Sequence, residues 1–393
     1  MPTYTAADAD LAIVRSKRIA IIGYGNQGEA HALNLRDSGV AHVVIGAREG
    51  SASGEKACAA GFAVTSNAAA VRDADVVVLG APDEKLPEIY ARDLAPNMKR
   101  GAALLFIHGF ALHFGFIQPR DDLDVIMVAP AGPGSALRAN YLSGDGYIGL
   151  IAIHRDVSGG AKPLALSYGA AIGVGAGMIE TTFREETETD LFGEQAVLCG
   201  GASELARAAF DTLVNAGYAP ELAYFECLHQ LKLLVDLMHT RGPAGMYQAI
   251  SNTAEYGAYR TGPRVIDAHV REQMQAVLAD VQSGKFAREW MAENATGLKD
   301  FTAMRERAAA HPIEAVGRRL RALMPWLSRN SAKPHNPLSP SGGEGKGEGD
   351  DGRKASATES LRGLEEKWSK REPYKGKISP TEMLRRIRDA QDE

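Results

Sequence analysis

The five residues Asp190-Leu-Phe-Gly-Glu194 close an acidic, threonine-rich run that opens at Glu180. At i,i+4 spacing on a helix, Asp190 and Glu194 share one face, a turn apart. Like charges so placed repel unless a cation lies between them. Magnesium suits that position, because it takes oxygen ligands, often one or two carboxylates, and keeps several waters. A solvated acidic helix start has the same spacing, since acidic residues are welcome in a first turn. Spacing alone leaves both readings open.

The elements that would position such a pair begin upstream. Arg18-Ile-Ala-Ile-Ile-Gly-Tyr-Gly reads as a short buried strand running into glycine, and a helix-like pattern follows. Gly23, Gly25 and Gly28 then form G-x-G-x-x-G between strand and helix, the setting in which the dinucleotide fingerprint has meaning. Gly23 permits the tight turn, Gly25 the close approach of a pyrophosphate, and Gly28 the packing of helix on strand. Tyr24, Asn26 and Gln27 fill the loop, and the helix N-terminus attracts phosphate. The next strand, His42-Val-Val-Ile-Gly46, ends at Ala47-Arg48-Glu49-Gly50-Ser51-Ala52-Ser53. Arg48 brings a planar cation and Ser51 and Ser53 bring hydroxyls, a cradle for a 2′-phosphate, so NADPH is expected over NADH, with Glu49 pointing outward.

Further apolar runs at 75–80, 102–108, 124–128 and 150–153 alternate with helical segments, which predicts a parallel sheet covered on both faces. Ligands gather beyond the carboxyl ends of such strands. Segments 81–84, 108–110 and 129–134 occupy those ends, which makes Asp83 and Gly134 candidates for the cofactor and His108 a candidate acid or base. After about residue 183 the pattern turns helical, over 190–216, 221–239, 244–256, 265–283, 285–293 and 311–327. Glu226 and Gln230 repeat the i,i+4 spacing, and two helices facing each other can build a carboxylate-bound metal site. From Ser328 to about Thr358 the chain is Ser/Pro/Gly/Lys/Glu-rich, the composition of a flexible linker, with two short charged helices expected near 359–370 and 380–391.

Composition narrows the class. With 393 residues, 45% hydrophobic and 24% charged, the chain has material for two ordinary globular domains. A net charge of −5 speaks against nucleic acid. Cys58, Cys199 and Cys227 are too scattered for a disulfide framework or zinc, and are expected as buried small hydrophobes in a reduced, cytoplasmic setting. No signal peptide or membrane span is expected.

Assembled, these residues resemble the ketol-acid reductoisomerase family, in its short-chain class, over residues 18 to about 327. The words that carry the resemblance are Gly-Tyr-Gly-Asn-Gln-Gly at 23–28, Phe-Ile-His-Gly-Phe at 106–110 and Glu-Thr-Thr-Phe at 180–183. Glu-Thr-Asp-Leu-Phe-Gly-Glu-Gln-Ala-Val-Leu-Cys-Gly-Gly at 188–201, Glu-Cys-Leu-His at 226–229, Ser-Asn-Thr-Ala-Glu-Tyr-Gly at 251–257 and Ala-His-Pro-Ile-Glu at 310–314 add to them. The resemblance implies an α/β protein: an NADPH-binding Rossmann domain at 1–183, an all-helical knotted domain at 184–327, and a tail at 328–393. It implies NADPH and two magnesium ions, an acetohydroxy acid such as 2-acetolactate as small-molecule substrate, and a homodimer or larger homo-oligomer. By position, Asp190, Glu194 and Glu226 would be magnesium ligands, Ser251 a substrate contact and His108 the catalytic histidine. Glu226 and Ser251 would reach the site from the other subunit.

Three departures accompany it. Ala131 stands where the family has lysine, Gln230 where it has a second glutamate, and Asn26 and Glu29 where it has serine and histidine. Ala131 removes a cation, and Gln230 keeps an amide oxygen but loses the charge that a second magnesium would use. The expectations are therefore two: a working reductoisomerase, or a relative that only reduces a 2-keto acid or imine with NADPH.

Overall fold

In a computed structural model, residues 1–325 are described, and the expected linker and charged helices lie outside them. Nine strands form one sheet: β1 (Thr3–Tyr4), β2 (Arg18–Ile22), β3 (His42–Gly46), β4 (Ala63–Thr65), β5 (Val76–Leu79), β6 (Ala103–Phe106), β7 (Asp124–Pro130), β8 (Ile148–Arg155) and β9 (Gly177–Glu180). Between them run α1 (Leu11–Arg15), α2 (Asn26–Asp37), α3 (Ala52–Ala59), α4 (Asn67–Ala70), α5 (Leu86–Ile89), α6 (Phe110–His113), α7 (Gly134–Ser143) and α8 (Ala161–Ile172). The strand order is β1-β9-β8-β7-β6-β5-β2-β3-β4.

Successive residues of each strand feed opposite cores, the consequence of a two-residue period. Ile19, Ile21, Val76, Val78 and Leu105 pack into one cluster, and Ala20, Ile22, Val77, Leu79, Leu104 and Phe106 into the other. Strands β5, β6 and β7 are buried at every position, as helix-covered parallel strands should be. The sheet is nevertheless mixed. Strand β8 runs antiparallel to β7, and β1 antiparallel to β9. Apolar content does not encode strand direction, so the parallel expectation holds from β4 through β7 and within the β8–β9 pair, but not across β7–β8 or β1–β9. From β2 the chain builds outward through β3 and β4, then returns to place β5, β6 and β7 on the other side of β2. That reversal opens a crevice at the carboxyl ends of β2 and β5, where doubly wound sheets bind ligands.

Past β9 the described chain is helical: α9 (Phe183–Gly193), α10 (Gly200–Asn215), α11 (Pro220–Tyr224), α12 (Gln230–Tyr247), α13 (Asn252–Val265), α14 (Ala268–Gln282), α15 (Lys285–Ala295), α16 (Lys299–Ala310) and α17 (Pro312–Ala322). Two of the long helices expected here are interrupted by single π-helical turns, Glu194–Leu198 and Phe225–His229. Such turns concentrate at functional sites. Helix α12 kinks at Gly242 (φ 71), and the segment expected as helix over 244–256 is broken before Ser251 caps α13. Helix α16 buries no residue, so its periodicity was too weak to read. The cysteine expectation is corrected: Cys58 and Cys199 are exposed and Cys227 is half-buried. Helix α3 buries Gly54 and Ala57 instead, leaving Cys58 toward water.

Candidate active site

Strand β6 ends at Phe106, and two residues later His108 reaches the rim of the sheet. Gly109 follows it. A Cβ on Gly109 would lie 2.2 Å from Thr187 Oγ1, and 3.0 Å from both Glu186 Oε2 and the Phe183 carbonyl. Only glycine lets α9 come this close. Thr182 caps that helix, its Oγ1 accepting from the Glu185 amide at 3.1 Å. Phe183 seats it edge-on against Phe106, at 5.5 Å between ring centroids.

Glu186, 3% exposed, is the hub of the contact. Its Oε1 accepts from His108 Nδ1 at 2.8 Å, and its Oε2 from the Gly109 amide at 3.0 Å and Thr187 Oγ1 at 3.2 Å. One turn on, Asp190 Oδ2 lies 3.6 Å from His108 Nδ1. His108, Glu186 and Asp190 bring ligand-type atoms within 4.8 Å of one another. Glu186, Asp190 and Glu194 are spaced i, i+4, i+8, so the stripe that named the last two also contained the first. Its signal was present; its buried role was not.

Burial works against a charged His108, but the hydrogen bond and charge of Glu186, backed by Asp83 and Asp190, prevail and raise its pKa to about 9. Asp190 is pushed up to about 6, chiefly by burial, with His108 opposing and Glu194, Glu186 and Asp83 repelling it. Asp83 is likewise raised to about 6, first by burial and then by Glu84, Glu186 and Glu194 against the pull of His108. Three carboxylates, Glu186, Asp83 and Asp190, thus act on one histidine, and Glu194 acts on the two aspartates, an excess of negative charge that suits a hard cation. Glu186 is committed to His108 and Gly109, which leaves Asp190 and Glu194 as the pair fitted to hold it.

The crevice beside this cluster carries the glycine loop. Gly23 adopts φ +97, and a Cβ there would lie 2.8 Å from the Gly80 carbonyl. A Cβ on Gly28 would sit 2.4 Å from the Gly23 carbonyl, whereas Gly25 has open space around it at the uncapped N-terminus of α2. That opening and those unpaired amides are what a pyrophosphate requires. Gly134 is just as confined, since a Cβ there would lie 2.2 Å from the Asn26 carbonyl, and Gln27 Nε2 donates to the Gly132 carbonyl at 2.8 Å. The loop holding Ala131 therefore closes directly onto the glycine loop. Tyr24 is buried against Phe62, which leaves its main chain for the crevice. Ser51 caps α3, accepting from the Gly54 amide at 3.2 Å and from Ser53 Oγ at 3.4 Å. Among the described residues the Arg48 side chain makes no hydrogen bond or ion pair, and Arg48 and Glu49 are both exposed.

Glu226, Gln230 and Ser251 lie elsewhere. Glu226 sits in the second π-helical turn, Gln230 begins α12, and Ser251 caps α13, accepting from the Ala254 amide at 3.2 Å. Among the described residues, no hydrogen bond or ion pair joins the three to His108, Asp190 or Glu194 within this chain.

Comparison with known proteins agrees with this fold. Residues 13–177 match the family profile described as acetohydroxy acid isomeroreductase, NADPH-binding domain, and residues 183–326 match that of the ketol-acid reductoisomerase C-terminal domain. An NADH-preferring ketol-acid reductoisomerase from an uncultured archean is 46% identical, with a TM-score of 0.80 over 82% of this chain and 99% of that one. An NAD-binding semialdehyde dehydrogenase protein from Cupriavidus necator (20% identity, TM-score 0.52, 68% of this chain and 99% of that one) shares the fold. So does an oxidoreductase from a Jannaschia species (17% identity, TM-score 0.51, 68% and 97%). The chain belongs to the ketol-acid reductoisomerase family.

Proposed function

We propose that this protein converts acetohydroxy acids such as 2-acetolactate to 2,3-dihydroxy acids with NADPH and magnesium, in valine and isoleucine synthesis. The observation that carries the reading is the joint between α9 and the end of β6. Helix α9 fixes His108 through Glu186 and carries Asp190 one turn on, with Glu194 at its C-terminal cap close enough to act on Asp190 and Asp83. When bound, NADPH supplies the hydride and magnesium the positive charge that offsets alkoxide charge on the substrate.

The residues of the chain supply position and protons. Asp190 and Glu194 offer oxygen ligands from one helical face. Because Glu186 accepts from Nδ1 of His108, the Nδ1–H tautomer is held and Nε2 is the atom that takes or gives a proton. Migration of the alkyl group requires loss of the substrate hydroxyl proton, and reduction of the new ketone requires gain of one. His108 Nε2, protonated below about pH 9, can give the second of these. Gly25 and the N-terminus of α2 receive the pyrophosphate, with Arg48, Ser51 and Ser53 around the 2′-phosphate.

Residues 1–183 act as the cofactor domain and 184–327 as the helical, knotted one. The active assembly is a homodimer or larger, in which Glu226, Gln230 and Ser251 reach the site of the partner. Support comes from the helical half, where Leu198, Leu222, Tyr256 and Tyr259 are 56–68% exposed, unusual for large apolar side chains unless another surface covers them. No described helix is long and apolar enough to cross a membrane, and the setting proposed is the cytoplasm. Asp190→Asn and Glu194→Gln are each expected to lower acetolactate turnover by about 100-fold or more while NADPH still binds. Full activity in either variant would refute the assignment.

A further inference from the structure

The loop after β5 forms one wall of the cofactor crevice, since Gly80 touches Gly23, and it carries Asp83 toward His108. Its downstream end is fixed in the core, where Leu86, 2% exposed, begins a helix that runs on through a π-helical turn at Tyr90–Leu94. Lys85 has no side-chain cap there, and the residues just before Leu86 are held from the far half of the chain as well. Asn294 Oδ1 accepts from Lys85 Nζ at 2.7 Å, and Asn294 Nδ2 donates to the Glu84 carbonyl at 3.4 Å. One amide thus spans two consecutive loop residues, both of its ends in use. Asn294 occupies the last turn of α15, where the helix dipole also favours the Lys85 ammonium.

Helix α15 is well placed to serve as a reference point. Ala287 packs with Leu191, Phe110 and Val281 in one apolar cluster, joined by Trp290 and Met291. Leu191 adjoins Asp190, and Phe110 is two residues past His108. The same helix therefore braces the metal-ligand helix, the histidine strand end and, through Asn294, the loop of Asp83.

We propose that Asn294 is a positioning residue: acting through Lys85 and Glu84, it sets the Asp83 loop and so the width of the cofactor crevice. This rests on the reading of that crevice as the NADPH site. The test is NADPH binding by the full-length protein, followed by fluorescence without substrate, alongside acetolactate kinetics and thermal melting. Asn294→Ala is expected to weaken NADPH binding about tenfold with little change in melting temperature, and Lys85→Met to do the same. The double variant should be no worse than either single one, because both remove one clamp. Asn294→Asp, which keeps the acceptor for Lys85, should recover most of the affinity.

Unchanged NADPH affinity in Asn294→Ala, with or without a lower melting temperature, would overturn the proposal. So would losses that add in the double variant. A wild-type protein that binds NADPH yet leaves acetolactate untouched would sink the proposed activity, while the binding series would still decide the clamp.

Discussion

His108 Nδ1 and Glu186 Oε1 stand 2.8 Å apart, although they are 78 positions apart in the chain and one follows strand β6 while the other lies in the first helix after the sheet. This contact fixes the tautomer of the histidine and the height of α9 together. Glu186→Gln keeps the shape but removes the charge that holds His108 protonated. It should lower kcat about 10- to 100-fold, the usual cost of losing a group that orients a ligating or catalytic side chain, and leave NADPH affinity unchanged. Steady-state kinetics with a binding titration check both.

Protons and magnesium should compete at the site. The folded-state value of His108, about 9, lies above its ordinary 6.5, so the stability from its ion pair is complete below about pH 6.5 and lost as pH rises through 9. Asp83 and Asp190 are raised from 3.8 to about 6, so the folded state keeps protons there that the unfolded chain releases, and stability also falls between those values. The metal-free protein should therefore melt progressively lower from about pH 6.5 to 9; below that range buried His31, whose pKa is pushed down to about 3, works in the opposite direction to the two aspartates. Added magnesium should raise the melting temperature more at pH 9 than at pH 6, because fewer protons must be displaced. Equal shifts at both values would contradict the assignment of these groups.

Among the described residues the exposed Arg48 cation has no side-chain partner, and Ser51 and Ser53 follow it closely in the chain. Arg48→Ala should raise the KM for NADPH on the order of thirtyfold and barely change that for NADH, since only the former carries a 2′-phosphate. Parallel loss with both cofactors would place the adenosine end elsewhere.

Much of this site could be read from the chain before it folded. Strand, glycine turn and helix follow one another locally at 18–37, so Gly23, Gly25 and Gly28 announced the crevice. Helical spacing put Asp190 and Glu194 on one face but left a solvated helix start as open as a metal pair. Glu186 shared that spacing but owes its part to Gly109, a contact between segments far apart in sequence that no local pattern encodes. Asn294 was illegible for the same reason. Strand direction at β8, the π-helical turns at 194–198 and 225–229 and the exposure of Cys58 likewise depend on packing, which propensity does not contain.

Gln230 offers an amide oxygen where a charged ligand would hold magnesium more firmly. Gln230→Glu should tighten magnesium binding about tenfold, roughly 1.4 kcal/mol, by calorimetric titration. No change would show that residue 230 does not face the metal in the assembled protein.

The central claim is that one site carries out both alkyl migration and reduction. Its most direct test is NADPH oxidation by the full-length protein with magnesium, comparing 2-acetolactate with 3-hydroxypyruvate, a ready-made 2-keto acid. Turnover of acetolactate to the 2,3-dihydroxy acid is the expected result. Oxidation with 3-hydroxypyruvate but none with acetolactate would contradict it, leaving a reductase that has lost the isomerisation.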